Sequence, residues 1–299
     1  MRIDLKISPQ RCTWADLEAV AVAAEGSGLF EGLWAFDHLA PVASGGGDPG
    51  DPDGCFEGWT VLAALAARTR RCRLGLLVSS VPYRNIGVTA QTVTTIDHIS
   101  SGRVEVGLGA GNTASEAEAF GLPFGPVRAR VTLLEEHLRV LDRLLAGDTV
   151  TFAGEHVRVH EARCAPRPCQ RRVPIIVGGK GERRTIPATA RHATGWNYSR
   201  GTPEEFAAKL AVLHRHAEAA GRDPADLRAS VQVRVDPATT DAATRLAEAY
   251  AAAGASDVVL YVNAREDQFD AACTVARRLG APTAPAAAPL GEDEEAMCP

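Results

Sequence analysis

Short apolar segments alternate with amphipathic helical patterns along most of the chain, and this alternation constrains the fold more than any other feature. Most of the apolar runs are nearly continuous, which is typical of parallel strands buried on both faces. The clearest helical pattern covers 127–146, where apolar residues recur every three or four positions before Gly147. Strands are predicted over 2–8, 32–37, 72–80, 103–109, 173–179, 194–199, 229–235 and 256–262.

Helical patterns fill most of the intervals between these strands. A first helix is predicted from Trp14 to Gly26 or Gly28, behind an N-cap at Thr13. Eight strand–helix alternations in 299 residues favour an α/β fold of the (β/α)8 TIM-barrel type. The alternative is a doubly wound sheet, but its G-x-G-x-x-G fingerprint is incomplete in GLGAGN at 107–112. Further helices are predicted over 56–69, 182–192, 203–220, 239–253 and 265–279.

Three segments depart from the barrel rhythm. Residues 40–55 are rich in Gly, Asp and Pro and are predicted to form a long loop after the second strand. Residues 148–172 are predicted to contain a small hairpin insertion, with its turn near Ala153 and Gly154. We therefore predict one barrel domain over 1–280 and a disordered tail over 281–299, which is Pro/Ala-rich and then acidic.

Composition argues against several classes of partner. The net charge is −5 and no long basic stripe occurs, so nucleic acid is not expected. No apolar run approaches the ~20 residues that span a bilayer, and the N-terminus lacks a signal-peptide pattern, so a cytoplasmic protein is predicted. Seven scattered cysteines fit reduced thiols better than a disulfide framework. The irregular spacing of His156, His160, Cys164 and Cys169 predicts no metal site.

A barrel carries its functional site at the carboxyl ends of its strands. Asp37 and His38 end the second strand, and GGKGER at 178–183 follows the fifth. Glycines there let the backbone approach a ligand, and the following helix favours an anion such as phosphate; a tight βα turn explains them equally well. His38 taken alone reads as a loop histidine, but beside a glycine-lined mouth it becomes a candidate proton donor.

Several longer motifs carry a resemblance to a known family. They include LWAFDHLAP at 33–41, TIDHISSGRVEVGLGAGN at 95–112 and VPIIVGGKGERRTIPATARHATGWN at 173–197. In order and spacing the chain resembles the bacterial-luciferase-like superfamily and, within it, the F420-dependent oxidoreductases. The resemblance covers about residues 2–280 and implies the same TIM barrel.

The resemblance also implies a cofactor, coenzyme F420, standing over the strand ends, and hydride transfer between this deazaflavin and a small organic substrate. It implies a non-proline cis peptide at Leu77–Val78 and catalytic roles for His38 and Asn112. The implied cofactor-binding residues are Asp37, His38, Leu77, Val78, Gly109, Gly111, Asn112, Val177, Gly178, Gly179 and Trp196.

Asn112 departs from the family pattern, because relatives usually place Trp or a carboxylate there. An asparagine cannot act as a general acid but can hydrogen-bond a carbonyl, and the departure is compatible with a specialised biosynthetic role. Two alternatives stay open: an FMN-dependent monooxygenase, and a non-catalytic flavin- or deazaflavin-binding relative. The resemblance further implies a homodimer. It leaves the substrate and the direction of hydride transfer open.

Overall fold

The computed structural model describes residues 1–41 and 54–281 and contains a closed barrel of eight parallel strands. Around the barrel their order is β3, β2, β1, β11, β10, β9, β8, β5, and pairing of β3 with β5 closes the sheet. The predicted TIM barrel is therefore confirmed. The barrel strands are β1 (Arg2–Ser8), β2 (Gly32–Ala35), β3 (Arg73–Leu76), β5 (Val104–Gly109), β8 (Ile175–Gly178), β9 (Gly195–Tyr198), β10 (Arg228–Arg234) and β11 (Asp257–Asn263).

The third barrel strand is less regular than the single run predicted over 72–80. β3 ends at Leu76, and the peptide bond between Leu77 and Val78 is cis, as predicted. A two-residue strand, β4 (Ser79–Ser80), then pairs with the end of β5. This irregular segment brings the backbone after β3 to the same edge of the barrel as the ends of β2 and β5.

The helices surround the barrel, and two of them were not predicted. Helix α3 was not predicted because its sequence is rich in Thr and Val, which have low helix propensity. Tertiary packing stabilises this helix, since Ile86, Ala90, Val93 and Ile96 are buried. Helix α4 is only six residues long. The helices are α1 (Trp14–Ser27), α2 (Gly58–Arg68), α3 (Ile86–Ile99), α4 (Ala114–Ala119), α5 (Val127–Leu145), α6 (Thr185–His192), α7 (Pro203–Ala219), α8 (Thr240–Ala252) and α9 (Glu266–Arg278).

Strand β1 shows how the barrel interior is filled. Its sequence RIDLKIS alternates polar and apolar residues, and Ile3, Leu5 and Ile7 belong to the main hydrophobic core. Side chains alternate between the two faces of a strand, so the remaining residues, 2, 4 and 6, point into the barrel. The interior of this strand is thus a column of charged groups rather than a second apolar layer.

Other sequence predictions have mixed outcomes. The hairpin insertion is confirmed as β6 (Val150–Ala153) and β7 (Arg158–Ala162), which pair antiparallel. Cys169 is disulfide-bonded, so the prediction of reduced thiols is wrong at that position, whereas Cys12, Cys55, Cys72, Cys164 and Cys273 are free. The central part of the predicted 40–55 loop and nearly all of the 281–299 tail lie outside the described residues.

The described residues contain neither a membrane-spanning helix nor a cluster of metal ligands. No helix in 1–41 or 54–281 is long and apolar enough to cross a membrane. Within the same ranges, no group of three or more His, Cys, Asp or Glu side chains is arranged to hold a metal ion.

Candidate active site

A cavity of about 540 Å³ opens at the carboxyl ends of the barrel strands. Nine of the eleven residues proposed from the sequence line it, although they come from four separate stretches of the chain. Parallel strands of a barrel bring their carboxyl ends to one face, which explains this convergence. The nine are Asp37, His38, Leu77, Val78, Gly109, Gly111, Asn112, Gly178 and Gly179.

The other two proposed residues lie behind the cavity wall. Val177 is fully buried in the core. Trp196 is also buried; its ring stacks on Phe206 with centroids 5.5 Å apart, and its Nε1 donates a 2.6 Å hydrogen bond to the carbonyl oxygen of Gly179. Trp196 therefore positions the backbone of Gly179 and does not itself face a ligand.

The glycines of one wall pack against the side chain of Val78. A Cβ on Gly109 would lie 2.6 Å from Cγ2 of Val78, and one on Gly178 would lie 2.9 Å from Cγ1. Both distances are too short for carbon–carbon contact. The sequence interpretation, that strand-end glycines such as Gly178 let the backbone approach a ligand, is thus incomplete. They first leave room for Val78, and together the three residues form a bare, aliphatic wall, here called the glycine wall.

A candidate anion cradle lies beside this wall, where β8 leads to helix α6. Gly179 has φ +134°, a backbone conformation that favours glycine. Helix α6 begins at Thr185, which lines the cavity, and no side chain caps its N-terminus. In the first turn the amide of Ile186 donates to the carbonyl oxygen of Gly181 and Pro187 has no N–H, so the amide of Thr185 is the one that can donate to an anion. Arg184 points elsewhere, because it is ion-paired with Glu135.

Asp37 is held in place by four hydrogen bonds and is buried. Oδ2 accepts from Oγ of Ser79 at 2.8 Å and from the amide of Ser80 at 3.1 Å. The guanidinium of Arg84 binds both carboxylate oxygens. These bonds fix the end of β2 against β4, so they give Asp37 a structural role in the cavity wall that the sequence did not reveal.

His38 belongs to a hydrogen-bonded group that includes Glu116 from helix α4. Nδ1 of His38 lies 2.9 Å from Oε2 of Glu116, and the hydroxyl of Tyr83 donates to the same oxygen at 2.6 Å. Burial alone would raise the pKa of Glu116. Hydrogen bonds from Tyr83, His38 and the amides of Leu39 and Ala40 outweigh burial, so this pKa lies below its usual value.

Because the Glu116 carboxylate can only accept a hydrogen bond, it selects the tautomer of His38 that carries its hydrogen on Nδ1. Nε2 is then the ring nitrogen available to exchange a proton with a bound molecule. Asn112, in contrast, is exposed at the rim, where its Oδ1 accepts a 3.0 Å hydrogen bond from the hydroxyl of Thr113.

The residues of the opposite wall of the cavity were not predicted from the sequence. It is formed by Lys6, Gln232, Arg234 and Tyr261, which lie on β1, β10 and β11; we call it the cationic wall. Around the barrel, β1 lies opposite β8 and β11 lies opposite β5. The polar–apolar alternation of RIDLKIS was the available signal, because it places Lys6 inside the barrel.

Comparisons with known proteins agree with this architecture. A sequence model described as luciferase-like monooxygenase matches residues 1–295. An uncharacterized protein of Mycobacterium tuberculosis is 34% identical over 155 residues, which is 50% of this chain and only about half, 54%, of that relative. An F420-dependent glucose-6-phosphate dehydrogenase of Microbacterium testaceum is 32% identical over 238 residues, covering 79% of this chain and 68% of the relative.

A solved structure supports the fold independently. An F420-dependent secondary alcohol dehydrogenase, solved in complex with an F420–acetone adduct, superposes with a TM-score of 0.81. The superposition covers 94% of this chain and 98% of that one, at 19% sequence identity. At this identity the likeness concerns the fold alone.

Proposed function

Because the chain belongs to the luciferase-like monooxygenase family, we propose that it is an F420-dependent oxidoreductase, which transfers a hydride between the deazaflavin and a small organic substrate. The observation that carries the proposal is the position of His38, whose imidazole is oriented by Glu116 at a cavity bounded by the glycine wall. The F420-dependent dehydrogenase among the relatives supports the choice of cofactor.

The residues of the cavity fit a flat ring that carries a phosphate. The glycine wall offers backbone and aliphatic surface without projecting polar side chains, on which the ring would lie. The start of α6, beside Gly179, would hold the phosphate, because the amide of Thr185 and the helix dipole favour an anion. Trp196 keeps Gly179 in position through its hydrogen bond.

When bound, F420 would supply the hydride chemistry of the reaction. His38 would hold or receive the proton at Nε2 while the hydride moves, because Nδ1 is engaged by Glu116. Tyr83 would keep Glu116 in place and Arg84 would keep Asp37 in place, so that the protein's own groups stay fixed around the reacting atoms. Asn112 would contact the substrate or the ring edge without exchanging a proton.

Fluorescence titration of the purified protein with F420 and with FMN tests this proposal. We expect tighter binding of F420. Gly179→Glu should abolish binding, because it fills the cradle and repels phosphate, whereas Gly179→Ala carries the same backbone strain without the charge and should weaken binding less. Tighter binding of FMN together with oxygen-dependent product formation would overturn the assignment in favour of a monooxygenase.

We further propose that the protein forms a homodimer. Exposed apolar side chains support this: Val88 and Ile99 of α3 are 57% and 43% exposed, and Val127 at the start of α5 is 65% exposed. Light scattering in solution should give twice the chain mass of 31.6 kDa. A monomeric mass at micromolar concentration would contradict the proposal. The specialised biosynthetic role and the cytoplasmic location stay predictions.

A further inference from the structure

Lys6 is a buried cation in the cationic wall. The residue is only 7% exposed, and its Nζ donates a 2.9 Å hydrogen bond to Oε1 of Gln232. Nζ also lies 4.7 Å from the ring centroid of Tyr261 and 5.4 Å from that of Phe36. Burial lowers the pKa of Lys6 to about 7, and no carboxylate in 1–41 or 54–281 forms an ion pair with it. The ammonium is therefore desolvated without a counter-ion among the residues that the structure describes.

A chain of hydrogen bonds fixes the position of Lys6. Nε2 of Gln232 donates to Oδ1 of Asn197 at 2.7 Å, and Nδ2 of Asn197 donates to Oγ of Ser230 at 2.8 Å. The Ser230 hydroxyl donates in turn to the carbonyl oxygen of Trp196. Each amide in the chain has one orientation, with the oxygen of Gln232 toward Lys6. Lys6 has three N–H donors and uses one of them here.

The other ionisable groups of the cavity do not supply the missing charge. Asp37 is bound to Arg84 and two further donors, and His38 faces Glu116. The remaining charged groups are the arginines, which add to the positive charge. A buried ammonium is costly unless an anion accompanies it. The ionisable side chains that line the cavity are Lys6, Asp37, His38, Tyr83, Arg200, Arg234 and Tyr261.

We propose that Lys6, fixed by Gln232, binds a carboxylate group of the substrate at the cationic wall. This inference rests on the proposed function, because it places the substrate opposite the glycine wall on which the ring would lie. The substrate class is accordingly a small organic molecule that bears both the carbon exchanging the hydride and a carboxylate.

The proposal has a defined pH dependence. The protonated form of Lys6 binds the carboxylate more tightly, so affinity is constant below the pKa of free Lys6, about 7, and falls above it by a total of about tenfold as the neutral form replaces the charged one. A neutral amide of the same shape should show no such dependence. Arginines stay charged throughout this range and cannot produce it.

Calorimetric titration of the full chain with benzoate and with benzamide, from pH 6 to pH 9, tests the proposal with and without saturating F420. At pH 6 wild type should bind benzoate about tenfold more tightly than benzamide, because a charged acceptor strengthens the hydrogen bond. Lys6→Met should remove both this preference and its pH dependence. Lys6→Arg should keep the preference and lose the pH dependence.

Two control variants identify the titrating group. His38→Asn and Arg200→Gln should each retain the decline of benzoate affinity above pH 7. A Lys6→Met variant that still prefers benzoate, or a decline that disappears in His38→Asn, would overturn the proposal. So would weaker F420 binding by Lys6→Met with unchanged benzoate binding. If wild type fails to bind F420 but shows the benzoate preference, the proposed function fails and this inference stands.

A melting measurement guards against misfolding of the variant. Lys6→Met removes a desolvated charge, so its Tm at pH 6 should exceed that of wild type, and the difference should shrink as the pH rises above 7. A lower Tm than wild type at pH 6 would overturn the proposal, because Lys6 would then be a structural group.

Discussion

The two ends of the barrel differ in whether their buried charges are ion-paired. At the amino end, the carboxylate of Glu105 is fully buried and receives hydrogen bonds from Arg2, Arg73 and Arg228. Burial alone would raise the pKa of Glu105, but the arginines, Arg2 foremost, lower it to about 2. At the carboxyl end, Lys6 is also buried but has no carboxylate partner in the described chain.

This difference separates stability from function. Charges that satisfy one another contribute to a rigid base, and removing one partner leaves the others uncompensated. Charges that keep donors unsatisfied at a cavity are typical of sites completed by a ligand. In barrel enzymes the amino end serves stability and the carboxyl end serves chemistry. Substitutions at the two ends should therefore differ in whether they impair turnover or stability.

His38→Ala should lower turnover strongly while leaving stability nearly unchanged. General acid–base assistance is worth about 100- to 10,000-fold, so kcat should fall within that range while F420 affinity changes little. Turnover can be followed by the loss of oxidised F420 with a panel of small alcohols and carbonyl compounds. His160→Ala is the matched control, because His160 is exposed on the hairpin. Wild-type kcat in His38→Ala would make His38 a structural loop residue.

Glu105→Gln should do the reverse and destabilise the fold. Loss of the charge leaves three arginines close together, and breaking a buried ion pair costs about 3–5 kcal/mol of unfolding free energy. Urea unfolding measures this loss, and the kcat of the folded fraction should not change. Glu118→Gln, on the exposed surface of α4, should stay within about 0.5 kcal/mol of wild type. A loss below about 1 kcal/mol would show that the arginine cluster contributes little.

The fold was accessible from the sequence because it depends on periodicity. Apolar runs and the three- and four-residue spacing of 127–146 predicted the barrel, and the helix spans were correct to within a few residues. Helix α3 was missed because tertiary packing overrides the low helix propensity of its Thr and Val residues. The cis peptide at Leu77–Val78 followed from the resemblance alone, since no local pattern indicates it.

The candidate site was accessible only in part, because its contacts join distant residues. Position at strand ends predicted His38 and the glycines. The partner of Asp37, Arg84, lies 47 residues away, and the partner of His38, Glu116, lies 78 residues away on a short helix. No spacing rule connects such pairs. Lys6 differs from these pairs, because the polar–apolar alternation of β1 does predict that its side chain points into the barrel.

Asp4 offers a test at the middle of the charged column in β1. Burial raises its pKa from 3.8 to about 6, although Arg2 and the indole of Trp34 oppose the rise. The folded state therefore holds a proton between these pH values that the unfolded state has lost, so stability falls as the pH rises from about 4 to 6. Over this window the loss amounts to about 3 kcal/mol. Above pH 6 the free energy of unfolding should not fall further on account of Asp4.

Asp4→Asn should lack this change. Unfolding free energies of wild type and Asp4→Asn, measured from pH 3 to pH 8, should diverge in favour of the variant between pH 4 and pH 6. A constant difference over the whole range would mean that Asp4 is ionised in the folded protein. In that case the column would resemble the fully paired cluster at Glu105.

Substitution of Asn112 should change kcat/KM least among these variants. It tests whether residues at the rim of the cavity contact the substrate. Its side chain is exposed and bonded to Thr113, so loss of a substrate contact in Asn112→Ala should cost about 0.5–1.5 kcal/mol in kcat/KM. Asn112→Asp should add an ionisation to the pH dependence of kcat/KM, because it places a titratable group at the mouth. In wild type, no ionisation in the pH dependence of kcat/KM should come from residue 112, because an asparagine side chain does not titrate. If both variants match wild type at every pH, Asn112 is a turn residue, and the functional part of the carboxyl end is confined to the deeper walls of the cavity.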